Sequence, residues 1–275
     1  MLSETLVPRD EAHRANLDRV AAYVAGELRR TGGKVEEQTF QVDKRTYRNV
    51  VATFGPQSGE TVVVGAHYDA FGPFPGADDN ASGVAGLIEL GRLLGKTPPH
   101  RPVQLVAYTL EEPPHFRTEN MGSAVHASAL QRAGTRVRAM FSLEMIGYFS
   151  DAPGSQDYPL PVLHALYPDR GNFIAVVGRF GEAGLARSVK RAMSGAATLP
   201  VRSITAPAAL AGVDFSDHLS YWERGIAAVM ITDTAFFRNR NYHTKDDTAE
   251  RLDYERMAKV VAGVFAAVQA LAAGD

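Results

Sequence analysis

The sequence predicts an α/β fold, a three-layer α/β/α sandwich in which helices cover both faces of a central mixed, mostly parallel β-sheet. Helical and strand periodicities alternate along all 275 residues instead of segregating into halves. Two short, almost wholly apolar runs, Thr61–Ala66 (TVVVGA) and Val103–Leu110 (VQLVAYTL), have the composition of strands buried on both faces. A helical pattern from about Ala81 to Leu94 lies between them and completes a strand–helix–strand unit. No repeat or low-complexity linker divides the chain, so a single domain over residues 1–275 is expected.

The elements follow in order. Between Asp10 and Arg30, Leu17, Val20, Ala21, Val24 and Leu28 recur at helical spacing, and Gly32-Gly33 supplies a stop. Lys34–Val42 and Tyr47–Phe54 read as two strands joined through Asp43-Lys44-Arg45. Further strands are expected at Arg138–Leu143, Phe173–Val177 and Ala227–Thr232. Ser150–Asn172, rich in Pro, Gly and Asp, reads as a surface loop. The last helix is expected over Tyr254–Ala272, with Met257, Val261, Val264, Phe265, Val268 and Leu271 on one face.

Composition narrows the chemistry. A hydrophobic content of 45% with 22% charged residues argues for a folded globular chain. A net charge of −2 with dispersed basic residues offers no field for nucleic acid. The absence of cysteine excludes disulfides, thiolate metal sites and a cysteine nucleophile, so any metal must be held by His, Asp or Glu. Val260–Ala273, the most apolar long stretch, is too short to span a membrane. Met1–Arg19 has no apolar targeting segment, which leaves the compartment unknown: cytoplasmic as read, or secreted or periplasmic if the chain is a processed form. Neither GxSxG nor HExxH occurs. Gly91–Thr97 (GRLLGKT) resembles a phosphate loop but is one residue short and follows a helix.

Ligand sites in sheets of this kind collect outside the carboxyl ends of the strands. Polar residues gather there: His67 and Asp69 after TVVVGA, Glu111-Glu112 after VQLVAYTL, Glu144 after AMFSL, and His243 in the loop after AAVMIT. Two divalent cations held about 3.5–4 Å apart need one bridging carboxylate, a His and a carboxylate each, and one free carboxylate to carry a proton. His67, Asp78, Glu112, Glu144 and His243 supply that set, with Glu111 to spare. Each piece alone has a plainer reading: a polar strand end, a turn with an N-cap in GADDNASG, a solvated acidic pair. Together, five unrelated features would have to fall on one sheet edge by accident.

The motifs HYD, GADDNASG, the EE pair, SLEMIGY and NYHTKDDT, in this order and spacing, resemble the co-catalytic zinc aminopeptidases of metallopeptidase family 28, over about Asn16 to Leu271. The resemblance implies the same zinc-peptidase-like sandwich. It implies two zinc ions bridged by Asp78 and a water or hydroxide, one held by His67 and Glu144 and the other by Glu112 and His243. It further implies a cis Asp78–Asp79 peptide, Asp69 fixing the His67 tautomer, and Glu111 as general base. Many family members have Asp where this chain has Glu144. Asp217 and His218 resemble a pair that lines the family's substrate site, and Tyr148 closes SLEMIGY beside it. Asp217 also reads as a helix N-cap. His13, His100, His115, His126 and His164 match no ligand pattern and are expected at the surface.

The implied reaction is hydrolysis of N-terminal residues from peptides with a free N-terminus. The alternatives are a glutaminyl cyclase, which the resemblance implies would use the same fold with one zinc, and a receptor-type module without activity, in which ligands should be missing. Phe71, Phe74, Phe149, Phe236 and Phe237 are candidates for an apolar pocket, and Arg117 for a contact with a substrate carboxylate.

Overall fold

The computed structural model describes residues 1–273. The first helix, α1 (Arg14–Arg30), buries Leu17, Val20, Ala21, Val24, Ala25 and Leu28, the stripe expected from the periodicity. Strands β1 (Lys34–Val42) and β2 (Arg45–Phe54) pair antiparallel. Asp43 and Lys44 between them both have positive φ, 49° and 64°, the backbone of a tight hairpin turn. The strand–helix–strand unit is β3 (Thr61–His67), α2 (Gly83–Lys96) and β4 (Val103–Tyr108). Next come α3 (Gly122–Arg132), β5 (Val137–Glu144), β6 (Ile174–Arg179), α4 (Ala183–Ala196) and β7 (Val201–Ala206). The chain closes with α5 (His218–Trp222), β8 (Ala228–Thr232) and α6 (Tyr254–Leu271), whose first turn is capped by the Asp253 carboxylate accepting from the Arg256 N–H at 2.9 Å.

The eight strands lie in the order β1-β2-β4-β3-β5-β8-β6-β7. The central four, β4, β3, β5 and β8, are mutually parallel, while β2 and β6 join them antiparallel. Alternation along β3 explains the layering. Val62, Val64 and Ala66 pack with residues of α1, α2, α4 and α6, while Val63 packs on the other face with Ala127 and Leu130 of α3 and Tyr221 and Trp222 of α5. Gly65 is required because the Tyr108 ring on β4 lies where its Cβ would be. Among the described residues no helix is long and apolar enough to cross a membrane.

Ser150–Asn172 is more than a surface loop. A short helical turn, Pro161–Ala165, buries Leu163, and the buried Gln156 amide donates to Thr234 Oγ1 at 2.8 Å. The segment is thereby clamped onto the loop after β8. His115 and His126 are likewise buried rather than at the surface. His126 Nδ1 lies 2.6 Å from the Tyr221 hydroxyl, which is 2.7 Å from that of Tyr108.

Burial pushes His126 down to about 4. An unfolded histidine titrates near 6.5, so between these values the unfolded state binds the proton and the folded state does not. The resulting stabilisation is complete above about pH 6.5 and is lost as pH falls toward 4, a change on the order of 3 kcal/mol for the full shift. In metal-free protein, His126→Gln should flatten the dependence of the urea midpoint on pH between 7.5 and 4.5. An unchanged slope would place the proton elsewhere.

Candidate metal centre

Three parallel strands bring the polar groups together by where they stop. His67 is the last residue of β3 and Glu144 the last of β5, while Glu111 and Glu112 follow β4 by a few residues. Leu110, directly before Glu111, has φ 61°, Met145, directly after Glu144, has φ 48°, and His243 has φ 57°. Such left-handed backbone costs about 1–2 kcal/mol for each non-glycine residue, and its concentration here turns the chain sharply where functional groups are presented.

His67 Nε2 lies 3.3 Å from Asp79 Oδ1, 3.4 Å from Glu144 Oε2 and 3.8 Å from Glu111 Oε2. His243 Nε2 lies 3.0 Å from Asp79 Oδ2 and 3.4 Å from Glu112 Oε2. Two donor sets, His67–Asp79–Glu144 and Asp79–Glu112–His243, therefore share one carboxylate, each of whose oxygens faces a different imidazole. The residue so placed is Asp79, which corrects the expectation of Asp78.

Asp78 points away from this cluster. Its carboxylate accepts from the Gly147 N–H at 3.0 Å and from Asn239 Nδ2 at 2.9 Å. It also abuts the buried Asp233, whose carboxyl is held well above the usual range by burial and by Asp78. The Asp247 carboxylate accepts from the backbone N–H of both Asp78 (3.0 and 3.2 Å) and Asp79 (3.1 Å), fixing the two residues with their side chains apart. Asp79 has φ −101° and ψ 94°, an extended conformation in which neighbouring side chains diverge. The cis peptide is Asp79–Asn80, one residue beyond the expected position.

Asp69 orients the cluster from behind. Its backbone carbonyl lies 3.1 Å from His67 Nδ1 with its carboxylate at 3.6 Å, so the carbonyl rather than the expected carboxylate is the closer partner. The carboxylate Oδ2 instead accepts from the Glu112 N–H at 3.0 Å. Ser216 donates to Glu144 Oε2 at 2.7 Å. The His243 ring stacks on Phe71, with centroids 4.1 Å apart, and on Tyr242 at 3.7 Å.

Asp217 is fully buried and makes no capping hydrogen bond to α5. Burial pushes its carboxyl up to about 7, against the pull of His67. His218 faces elsewhere: its Nε2 is 2.8 Å from the Val213 carbonyl and its ring packs edge-on against Trp222. Tyr148 is tied through its backbone, its N–H donating to Asp233 at 2.9 Å and its carbonyl accepting from Arg238 at 3.2 Å. Arg117 is engaged by Asp214 at 2.6 Å. Asp247, Asp233 and Ser216 were not singled out from the sequence. The DD of NYHTKDDT, next to His243, was the available signal for Asp247.

Electrostatics show what the cluster lacks. Burial drives Glu111 well above the usual carboxylate range, raises Glu144, and pushes Glu112 to about 7. Burial works against charge on the histidines too, yet Glu111 and Glu144 carry His67 well above its ordinary value, and Asp79 and Glu112 lift His243 to about 9. Buried acids crowded against two imidazoles are balanced by bound protons or by divalent cations, and this donor set suits the latter. The spacing suits them. Ligands about 2.0–2.1 Å from a tetrahedral ion are separated by about 3.3–3.4 Å, close to the distances here. Glu112 Oε1 is buried without a hydrogen-bond partner, leaving it free for such an ion.

Beside Glu144 opens a cleft of about 840 Å³, its open mouth included, lined by apolar side chains among which are Leu210, Val213, Phe215, Met230, Phe236 and Phe237. Phe71 and Phe74 border a smaller recess beside His243, and Phe149 packs under Arg238.

An open α/β sheet with His and carboxylates gathered at the ends of its parallel strands is the frame of a metal-dependent enzyme, and its family makes it a peptidase. The chain belongs to peptidase family M28, whose model matches residues 49–268. The Escherichia coli K12 protein YfbL is 50% identical over 272 residues, covering 96% of this chain and 83% of its own. Leucine aminopeptidase 1 of Coccidioides posadasii is 27% identical over 221 residues, covering 76% of this chain and 52% of its own, so the chain spans about half the length of that enzyme. The solved zinc aminopeptidase BSAP of Bacillus subtilis shares the fold, with a TM-score of 0.75 at 17% identity over 97% of this chain and 91% of its own.

Proposed function

We propose that the chain is a zinc-dependent aminopeptidase that removes apolar N-terminal residues from peptides with a free N-terminus. The observation that carries this reading is the sharing of Asp79 between two donor sets while Glu111 stands against His67 as an additional carboxylate. His67 and Glu144 would hold one ion, Glu112 and His243 the other, and Asp79 both. Bound zinc would polarise the scissile carbonyl and lower the pKa of water.

The other steps belong to side chains of the protein. Glu111 takes the proton of the attacking water and returns it to the leaving amine. Its buried position raises its proton affinity, which suits the second half of that task. Like-charge repulsion from Glu112 and Glu144, with a smaller part from the buried Asp217, adds to that proton affinity. The apolar cleft beside Glu144 takes the side chain of the first residue, and the acidic groups around it favour a free, cationic α-amine over an acylated one.

Fold alone does not separate this reading from a cyclase; the paired donor sets favour two ions and hydrolysis. The complete donor set weighs against a receptor-type module without activity. Zinc-loaded protein should cleave free aminoacyl peptides with Leu or Phe first, and should leave their N-acetylated forms and those with Asp first nearly intact. Cleavage of both forms at similar rates would exclude an aminopeptidase, and zinc-loaded protein that cleaves no peptide would favour the cyclase.

A further inference from the structure

Arg9 precedes α1 and belongs to no motif read from the sequence, yet it is fully buried. Its Nε donates to the Tyr68 carbonyl at 2.9 Å and its Nη2 to the Gly76 carbonyl at 2.6 Å. Its Nη1 reaches the carbonyls of Pro75 at 2.5 Å and Leu2 at 3.1 Å. The Arg9 carbonyl in turn accepts from the Ala70 N–H at 3.1 Å. Leu2 and Leu6 are buried in the main core, so the segment carrying Arg9 is anchored independently of the site.

Three of these carbonyls lie at the two ends of the single loop that joins β3 to the turn carrying Asp79; the fourth, of Leu2, belongs to Arg9's own N-terminal segment. Tyr68 lies between His67 and Asp69, and Gly76 three residues before Asp79. Gly76 has φ 53°, and a Cβ there would collide with the Asp79 carbonyl and crowd Arg9 Nη2 at 2.9 Å, so the guanidinium and the Asp79 peptide lie against the same glycine. Burial lowers Arg9 only to about 10, which leaves it cationic at neutral pH among Asp79, Asp69, Asp247 and Glu112.

We propose that Arg9 is a positioning residue for the metal centre: by bridging the carbonyls of Tyr68 and Gly76 it sets the separation of His67 and Asp79, making the segment before α1 part of the machinery. A guanidinium can tie together the two ends of this loop because its donors are splayed in a fixed plane, whereas an ammonium offers its donors from one nitrogen.

The inference rests on the reading that His67 and Asp79 bind metal, and chelator competition on purified protein tests the two separately. Wild type that fails to bind zinc would overturn that reading and this proposal with it. Given a wild type that binds two zinc ions, Arg9→Met should weaken zinc at least tenfold, with metal-free circular dichroism unchanged. Arg9→Lys, which keeps the charge but not the bridge, should fall between and carries the test if Arg9→Met does not fold. Folded variants that bind zinc as tightly as wild type would overturn the proposal and leave Arg9 an anchor of the fold.

Discussion

Glu111→Gln is expected to retain zinc while losing about 10²–10⁴-fold in kcat, the range associated with removing a general base. Of Asp79, Glu144 and Glu111, Glu111 lies farthest from His67 Nε2, at 3.8 Å against 3.3 and 3.4 Å, and under the proposed reading it is the group left free of metal. Glutamine preserves its shape but cannot accept a proton from water. The cost should therefore fall on kcat, with KM changed little because binding of the α-amine and side chain is untouched. The measurement is a pair: zinc per chain by atomic absorption, and steady-state kinetics on a leucyl peptide. Retained zinc with near-native kcat would remove Glu111 from the mechanism. Lost zinc would make it a ligand, consistent with its membership in the His67–Glu111–Glu112 group.

How much of this was legible in the sequence depends on which physical signal each element carries. The parallel strands β3, β4, β5 and β8 were readable because burial on both faces writes a continuous apolar run. The helix α4 was not, since its buried face is only Ala186, Val189 and Met193, too sparse a stripe to stand out. In α3 the buried positions other than Leu130 are small or polar, including Gly122, Ser123 and His126. The edge strand β7 leaves Arg202 to Thr205 only partly covered, so it lacks an apolar run. His115 and His126 were misjudged because burial of an imidazole depends on its neighbours, here Tyr221 in the case of His126.

The same distinction holds at the site. Residue types and strand-end positions were readable for His67, Glu112, Glu144 and His243, since a strand that stops at the sheet edge projects its next polar residues there. The choice between adjacent acids was not readable. Asp78 and Asp79 are chemically identical, and what separates them is the direction of the backbone, set by the distant carboxylate of Asp247. Arg9 is the extreme case: its partners are all backbone carbonyls, which leave no trace in side-chain composition.

That ambiguity defines the sharpest mutational contrast in the molecule. Asp79→Asn should abolish binding of both metals, because a neutral amide replaces the one carboxylate that faces both His67 and His243. Activity should fall by at least 10³-fold, more than for any variant that spares one donor set. Asp78→Asn differs by a single position and should keep both metals and most activity. Its hydrogen bonds run to Gly147 and Asn239, and an amide beside Asp233 can donate where two carboxyl groups now crowd together. Its expected cost is in stability, about 1–3 kcal/mol for a mismatched buried hydrogen bond. Zinc stoichiometry after dialysis separates the two without reference to any substrate. Loss of metal in Asp78→Asn with retention in Asp79→Asn would reverse the assignment. Loss in both would mean that the Asp78–Asp233 pair and the metal centre form one electrostatic unit, with Asp78 sustaining the site through the backbone it shares with Asp79.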